Sequence, residues 1–469
     1  MMPNLLRRIR STAILTAFAA VAATSACVAD TDDAGTVDEL ENPGGKADSL
    51  FRDGPLMLTA AFDGSKRFGM WVDSMRFARD IERTYGKSLG ITYFINTCYF
   101  DHTTVGSDIG RSANRAEDLV RTALAQQVIN EGHEIGSHAV LHEDGGSWSY
   151  ERWRQEFDNF HRVTDRALFN PIYEADGTPV FPKWRPMPAA SAGEMGSACS
   201  TDSDCDSGIC LPVAAHASFC SARCNRYNPC ENGTVCGAPD WNESTDRCVP
   251  MPEFPVDYQG QELFDADGNA NLNHPALERY DIIGFRAPLL AHNKALFDVM
   301  EDFGYRYDTS KILSPGPPAR VVHSGQVYDS LYEFALMKNP GSRTIPMDYN
   351  YKVNTDGTPE RMLEDYKRSI RDAYNVRERQ PWNIGHHFSQ WYNGGYWRTM
   401  QAAFEYAAQG CPEGGQLMCE NVEFPTFKQL TMRLDAKADG LEDPFVDPDA
   451  IGEPTPDGDH EHGVDGEEN

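Results

Sequence analysis

Apolar residues along this chain switch repeatedly between the spacing of a strand and the spacing of a helix, and that alternation is the strongest constraint on its fold. Residues 56–62 form an apolar run of strand length, Trp71, Met75 and Ala78 then recur at helical spacing, and residues 91–95 make a second strand. Residues 119–129 predict a helix, a short strand leads into His133, Glu134, Ile135 and Gly136, and Trp153, Phe157, Phe160, Thr164 and Leu168 share one helical face. Beyond residue 280 the order continues with strand 282–285, helices 295–303 and 362–373, strand 383–387 and helix 396–408. Such an order predicts an α/β fold on a parallel sheet, open or closed into a barrel, with functional loops at the carboxyl ends of the strands.

Cysteine usage interrupts this pattern. Eight of the twelve cysteines (Cys199, Cys205, Cys210, Cys220, Cys224, Cys230, Cys236 and Cys248) fall in one segment rich in Gly, Asn, Asp and Ser. Their number and spacing predict a disulfide-stapled module, packed apart from the rest and without regular secondary structure, in preference to a zinc site. Cys411 and Cys419 are close enough to pair with each other, which leaves Cys98 as a buried small hydrophobe.

The ends of the chain read differently. Arg7, Arg8 and Arg10 precede an apolar run over residues 13–23 and small residues, the layout of a secretory signal. Thr24-Ser25-Ala26-Cys27 resembles a bacterial lipobox, which implies lipidation of Cys27 and a membrane anchor; cleavage after Ala26 without lipidation is the alternative. The chain therefore divides into a signal (1–26), an acidic linker (27–50), a first part of the main domain (51–190), the cysteine module (191–252), a second part of the main domain (253–430) and an acidic tail (431–469). A formal net charge of −29 argues against a nucleic-acid partner, because phosphate binding needs clustered Lys and Arg.

The sharpest local signal is the string from His133 to His142, H-E-I-G-S-H-A-V-L-H. His138 and His142, four apart, would lie on one face of a helical turn and could share one metal. The string resembles the second motif of the polysaccharide deacetylases, the NodB-like carbohydrate esterases. Ala60-Ala61-Phe62-Asp63-Gly64 resembles their first motif, Gly284-Phe285-Arg286-Ala287-Pro288 the third with Tyr307-Asp308-Thr309-Ser310 after it, and Ile384-Gly385-His386-His387 the fifth. The matches occur in family order over roughly residues 55–170 and 275–410.

The resemblance implies a distorted (β/α) barrel interrupted by the cysteine insertion, and a divalent metal, zinc in the first instance, on Asp63, His138 and His142. It further implies a base carboxylate at Asp63 paired with Arg286, and an acid histidine at His386, with His387 in reserve, oriented by Asp348. The family has two aspartates where this chain has Asp63 followed by Gly64, so Asp63 is either base or metal ligand. Of the aromatic residues near the motifs (Trp148, Trp153, Trp382, Trp391, Tyr392, Tyr396 and Trp397), Trp391 and Tyr392, beside Asn393-Gly394-Gly395, are the candidates for stacking on sugar. The expected activity is removal of acetyl groups from an extracytoplasmic polysaccharide, N-acetylated amino-sugar chains first. O-acetyl esterase activity and a non-catalytic, lipid-tethered glycan-binding role are the alternatives.

Overall fold

A computed structural model describes residues 51, 54–185, 191–231, 233–237, 246–255, 263–314, 316–341, 344–353, 357–376, 379, 381–441 and 443–445. The signal, Cys27, the linker and the acidic end of the tail lie outside the described residues. Strand β1 (Leu56–Asp63) leads to helix α1 (Phe68–Tyr85), then β2 (Ile91–Ile95), α2 (Arg115–Asn130), β3 (Glu134–Ser137) and α3 (Tyr150–Thr164). After the cysteine-rich segment come β4 (Gly284–Phe285), α4 (Lys294–Asp302), β5 (Tyr307–Asp308) and the hairpin of β6 (Ala319–His323) and β7 (Gln326–Glu333). Helices α5 (Asp348–Val353) and α6 (Pro359–Asn375), strand β8 (Trp382–His387), α7 (Gly395–Ala408), β9 (Val422–Glu423) and α8 (Phe427–Ala438) complete the order.

The strands form one sheet in the order β6–β7–β5–β4–β3–β2–β1–β8, with β9 beside the start of β1. Only the β6–β7 pair is antiparallel. The sheet curls into an incompletely closed barrel. A side chain spans the gap: the Asn383 amide on the edge strand β8 donates to the carbonyl oxygens of Phe334 and Ala335, where the chain leaves β7, at 3.0 and 2.8 Å.

Period-2 alternation sorts each strand into two faces. Leu56, Leu58, Ala60 and Phe62 of β1 pack outward against the helices, with Tyr93 and Ile95 of β2 and Ile384 of β8. Met57, Ala61, Phe94 and Tyr307 point inward, where they meet Phe334 and Phe427. Helix α8 supplies Phe427 and closes one end of the barrel, where the inward Glu134 carboxylate accepts from the Lys428 N–H at 2.8 Å. Residues 431–438, expected in the acidic tail, are helical instead: Thr426 and Gln429 form a capping box that starts a helix through them, with Leu430 and Leu434 buried in the barrel interior.

The cysteine segment differs from expectation in two ways. Its disulfides form (Cys199–Cys210, Cys205–Cys220, Cys224–Cys236 and Cys230–Cys248), as does Cys411–Cys419. Yet it is built of strands: Cys210–Ala214 pairs with Ala217–Cys220, and Asp246–Pro250 lies between Arg223–Cys224 and Thr234–Cys236. Nor does it stand apart, because Leu211, Val213 and Val249 join the main core. Helix α1 has no side-chain cap of its own. The buried Asp246 of the module replaces it, accepting from the Phe68 and Gly69 N–H groups at 3.0 and 2.8 Å.

Candidate active site

The inward alternation carries Asp63, Asn96, His138, Arg286 and His387 to the carboxyl ends of β1, β2, β3, β4 and β8. In register, Asp63 lies opposite Phe94 on one side and His387 on the other. The chain continues straight from β2 and β3 into Asn96 and His138, where the His138 N–H still bonds to the Ile95 carbonyl at 2.9 Å.

Asp63 is buried and accepts from Arg286 Nη1 at 2.7 Å. Arg286 is itself wholly buried, held by Nε on the Thr309 hydroxyl at 2.6 Å and by the Phe94 ring 4.6 Å beneath the guanidinium. Glycine makes this crossing possible, since a Cβ at Gly385 would come within 2.8 Å of Arg286 Nη1. Burial works against charge on Asp63, but the Arg286 guanidinium, with His138 and His387 behind it, outweighs burial and holds the carboxyl below its ordinary range.

On β8 the two adjacent histidines face opposite ways. His387 Nδ1 lies 2.8 Å from Asp348 Oδ1, and the same carboxylate accepts from the His387 N–H at 3.2 Å. Burial would lower the imidazole pKa, but the Asp348 charge and hydrogen bond, with Asp63 adding to them, raise it above 6.5. His386 turns outward into the core, its Nε2 3.0 Å from the Tyr366 hydroxyl of α6, and burial drives its pKa down to about 4. The expected order of these two residues is therefore reversed: the alternation that sends Ile384 outward sends His386 with it, and brings His387 beside Asp63.

His138 and His142 approach with ring centroids 5.0 Å apart. They do so without the helical turn read from their spacing, because Ala139 and His142 adopt left-handed backbone at φ 61° and 63°. His138 Nδ1 lies 2.7 Å from the Arg286 carbonyl oxygen, which puts the proton on Nδ1 and leaves the Nε2 lone pair for another partner. Burial keeps both rings neutral, pushing His142 down to about 3.

These two imidazoles fit a divalent metal. The expected third ligand does not join them. Among the described residues, the groups of three His, Cys, Asp or Glu ligand atoms within 4.8 Å of one another are made of cysteines, and those cysteines are in disulfides. Asp63, His138 and His142 are not such a group, since Asp63 is turned to Arg286. Asn96 escaped the sequence reading, although two residues on from inward Phe94 and four from Thr92 its parity could have revealed it.

Trp391 packs on His387 with centroids 4.9 Å apart, and Lys352 Nζ lies 3.7 Å from the centre of its ring. Tyr392 is 61% exposed beside it. Trp153, Trp382 and Trp397 are core residues.

No family model and no curated protein sequence matches the chain. Among solved structures, it is similar to the Xyl-CE4 domain of a multidomain xylanase from the hindgut metagenome of Trinervitermes trinervoides, at 10% identity and TM-score 0.34 over 83% of this chain and 94% of that one. It is similar to the chitin deacetylase of the fungal pathogen Colletotrichum lindemuthianum at 9% identity and TM-score 0.31, over 76% and 85%. A Puue allantoinase gives 10% identity and TM-score 0.37, over 80% and 89%.

Proposed function

We propose that this chain is an exported polysaccharide deacetylase that hydrolyses acetyl groups on a glycan, N-acetylated amino-sugar chains first. The observation that carries the reading is the pair of oppositely tuned groups at adjoining strand ends: Asp63, pushed toward its ionised form by Arg286, and His387, pushed toward its protonated form by Asp348. Asp63 takes a proton from the attacking water, whose oxygen bonds to the acetyl carbon. His387 gives its proton to the leaving nitrogen as the carbon–nitrogen bond breaks, releasing acetate and a free amine. On an O-acetyl ester the leaving atom is the alcohol oxygen, and the same two groups serve. A divalent metal on His138 and His142, zinc in the first instance, would polarise the acetyl carbonyl and acidify the water.

Trp391, beside the acid, and exposed Tyr392 offer ring faces to sugar at the rim. The five disulfides support an oxidising compartment, and the lipobox-like string ending at Cys27 supports a lipid anchor that a Cys27→Ser variant would lose. Acetate release is to be measured from acetylated chito-oligomers and from acetylated xylan. Release from the first supports amide hydrolysis, release from the second alone makes the chain an ester hydrolase, and sugar binding with neither sinks the enzymatic reading.

A further inference from the structure

We propose that the side-chain amide oxygen of Asn96 is the third protein donor of a divalent-metal site formed with His138 and His142, in place of the carboxylate that residue 64 lacks. The inference deepens the hydrolase reading and rests on it for the purpose of the site. Asn96 is wholly buried, at the end of the strand lying between those that carry Asp63 and His138. Its Nδ2 donates to the His138 carbonyl oxygen. That contact fixes which way the amide faces, because the flipped amide would set oxygen against oxygen. Oδ1 is thereby turned away from His138's backbone, and it is a buried acceptor without a hydrogen-bond partner.

A buried polar atom with nothing to bind is costly, so it calls for a ligand. Where Oδ1 points is informative. A Cβ built on Gly64 would lie 4.0 Å from it, with Phe388 Cβ at 3.8 Å as the other near neighbour. Asn96 Oδ1 thus lies beside the point from which a side chain on residue 64 would start, at the carboxyl end of the strand that neighbours the one leading into His138. Two imidazoles and one amide oxygen are all neutral donors, so the cation keeps its full charge and is held more weakly than by a set with a carboxylate. Asp63, ionised next door and tied to Arg286, is left free of ligation to act as base.

The test uses the full chain, stripped of metal by chelation and titrated with Co²⁺, with visible absorption reporting the ligand set and equilibrium dialysis the affinity. Wild type is expected to bind one Co²⁺, and His138→Ala to abolish this. Asn96→Ala should weaken binding by about 10–100-fold or more, the loss usual when a metal site's support is removed. Asn96→Asp should tighten it, because the attraction of an added carboxylate charge for a divalent cation outweighs the oxygen that the substitution sets against the His138 carbonyl. Opposite shifts from one position cannot come from misfolding, and circular dichroism monitors the fold. Equal Co²⁺ affinity in wild type, Asn96→Ala and Asn96→Asp overturns the proposal, as does a wild type that binds no Co²⁺, which would leave a water as the partner of Oδ1. Acetate release, followed in parallel, separates the two readings: binding as described without acetate release keeps the site and removes the hydrolase, and release that is indifferent to Asn96 and to metal does the reverse.

Discussion

Arg286 Nη1 and Asp63 Oδ1 meet at 2.7 Å inside the barrel with 0% and 4% of their side chains exposed. An ion pair this deep adds little net stability, but removing one partner strands the other charge. Asp63→Asn should therefore destabilise the fold by about 3–5 kcal/mol in urea unfolding, and Arg286→Met in the same chain should recover part of that loss. The same Asp63→Asn variant should lower acetate release by roughly 10²–10⁴-fold, the usual contribution of a positioned base. Since Asp63 faces Arg286, bound metal should persist in the variant; metal lost in step with activity would make Asp63 a ligand after all.

The two histidines of β8 should separate cleanly by mutation. His387→Gln is expected to cost roughly 10²–10⁴-fold in kcat, the contribution of a positioned acid. His386→Gln, which alters a hydrogen bond to Tyr366 on the outer face, should lower the melting temperature and leave kcat within a few-fold of wild type. A larger kcat loss at His386 would refute the assignment.

The pH profile follows from two directions of shift. Asp63 is held below its ordinary 3.8, so its base form survives into acid, and His387 is held above 6.5, so its acid form survives past neutrality. The kcat/KM plateau should span the interval between them. Asp348→Asn removes the charge and acceptor that raise His387, and its basic limb should move to lower pH. The stability that His387 gains from Asp348 is fully present below about 6.5, the ordinary imidazole value, and is lost as pH rises through the raised pKa of the folded state. An unmoved basic limb in Asp348→Asn would show that another group supplies the proton.

Asp246 ties the cysteine module to the first helix of the barrel. Asp246→Ala leaves the Phe68 and Gly69 N–H groups without their acceptor and should cost about 0.5–2 kcal/mol, as loss of a helix cap does. Because Arg247 also reaches Asp73 at 2.5 Å and Arg121 Nη2 reaches the Gly237 carbonyl at 2.8 Å, module and barrel should melt in one calorimetric transition. Two resolved transitions would mean that the module folds by itself.

What the sequence determined alone is what depends on local spacing. The strand and helix alternation needs only the period of apolar residues, and the density of cysteines around residues 199–248 was enough to predict disulfides within that segment. The string from His133 to His142 likewise singled out His138 as a candidate from local spacing.

The three-dimensional arrangement decided the rest, because it turns on which face of a strand a residue takes and what that face meets. His386 and His387 are chemically identical neighbours, and only the registry of β8 on β1, with Asp348 brought from α5, sets one of them beside Asp63 and the other in the core. The sequence left Asp63 without a partner; only the fold brings Arg286, 223 positions away in sequence, to its carboxylate. Asn96 shares its parity with Phe94 and Thr92 in the sequence, but an asparagine after an apolar run is most often a turn residue; its unsatisfied oxygen beside Gly64 arises only when β1, β2 and β3 lie side by side.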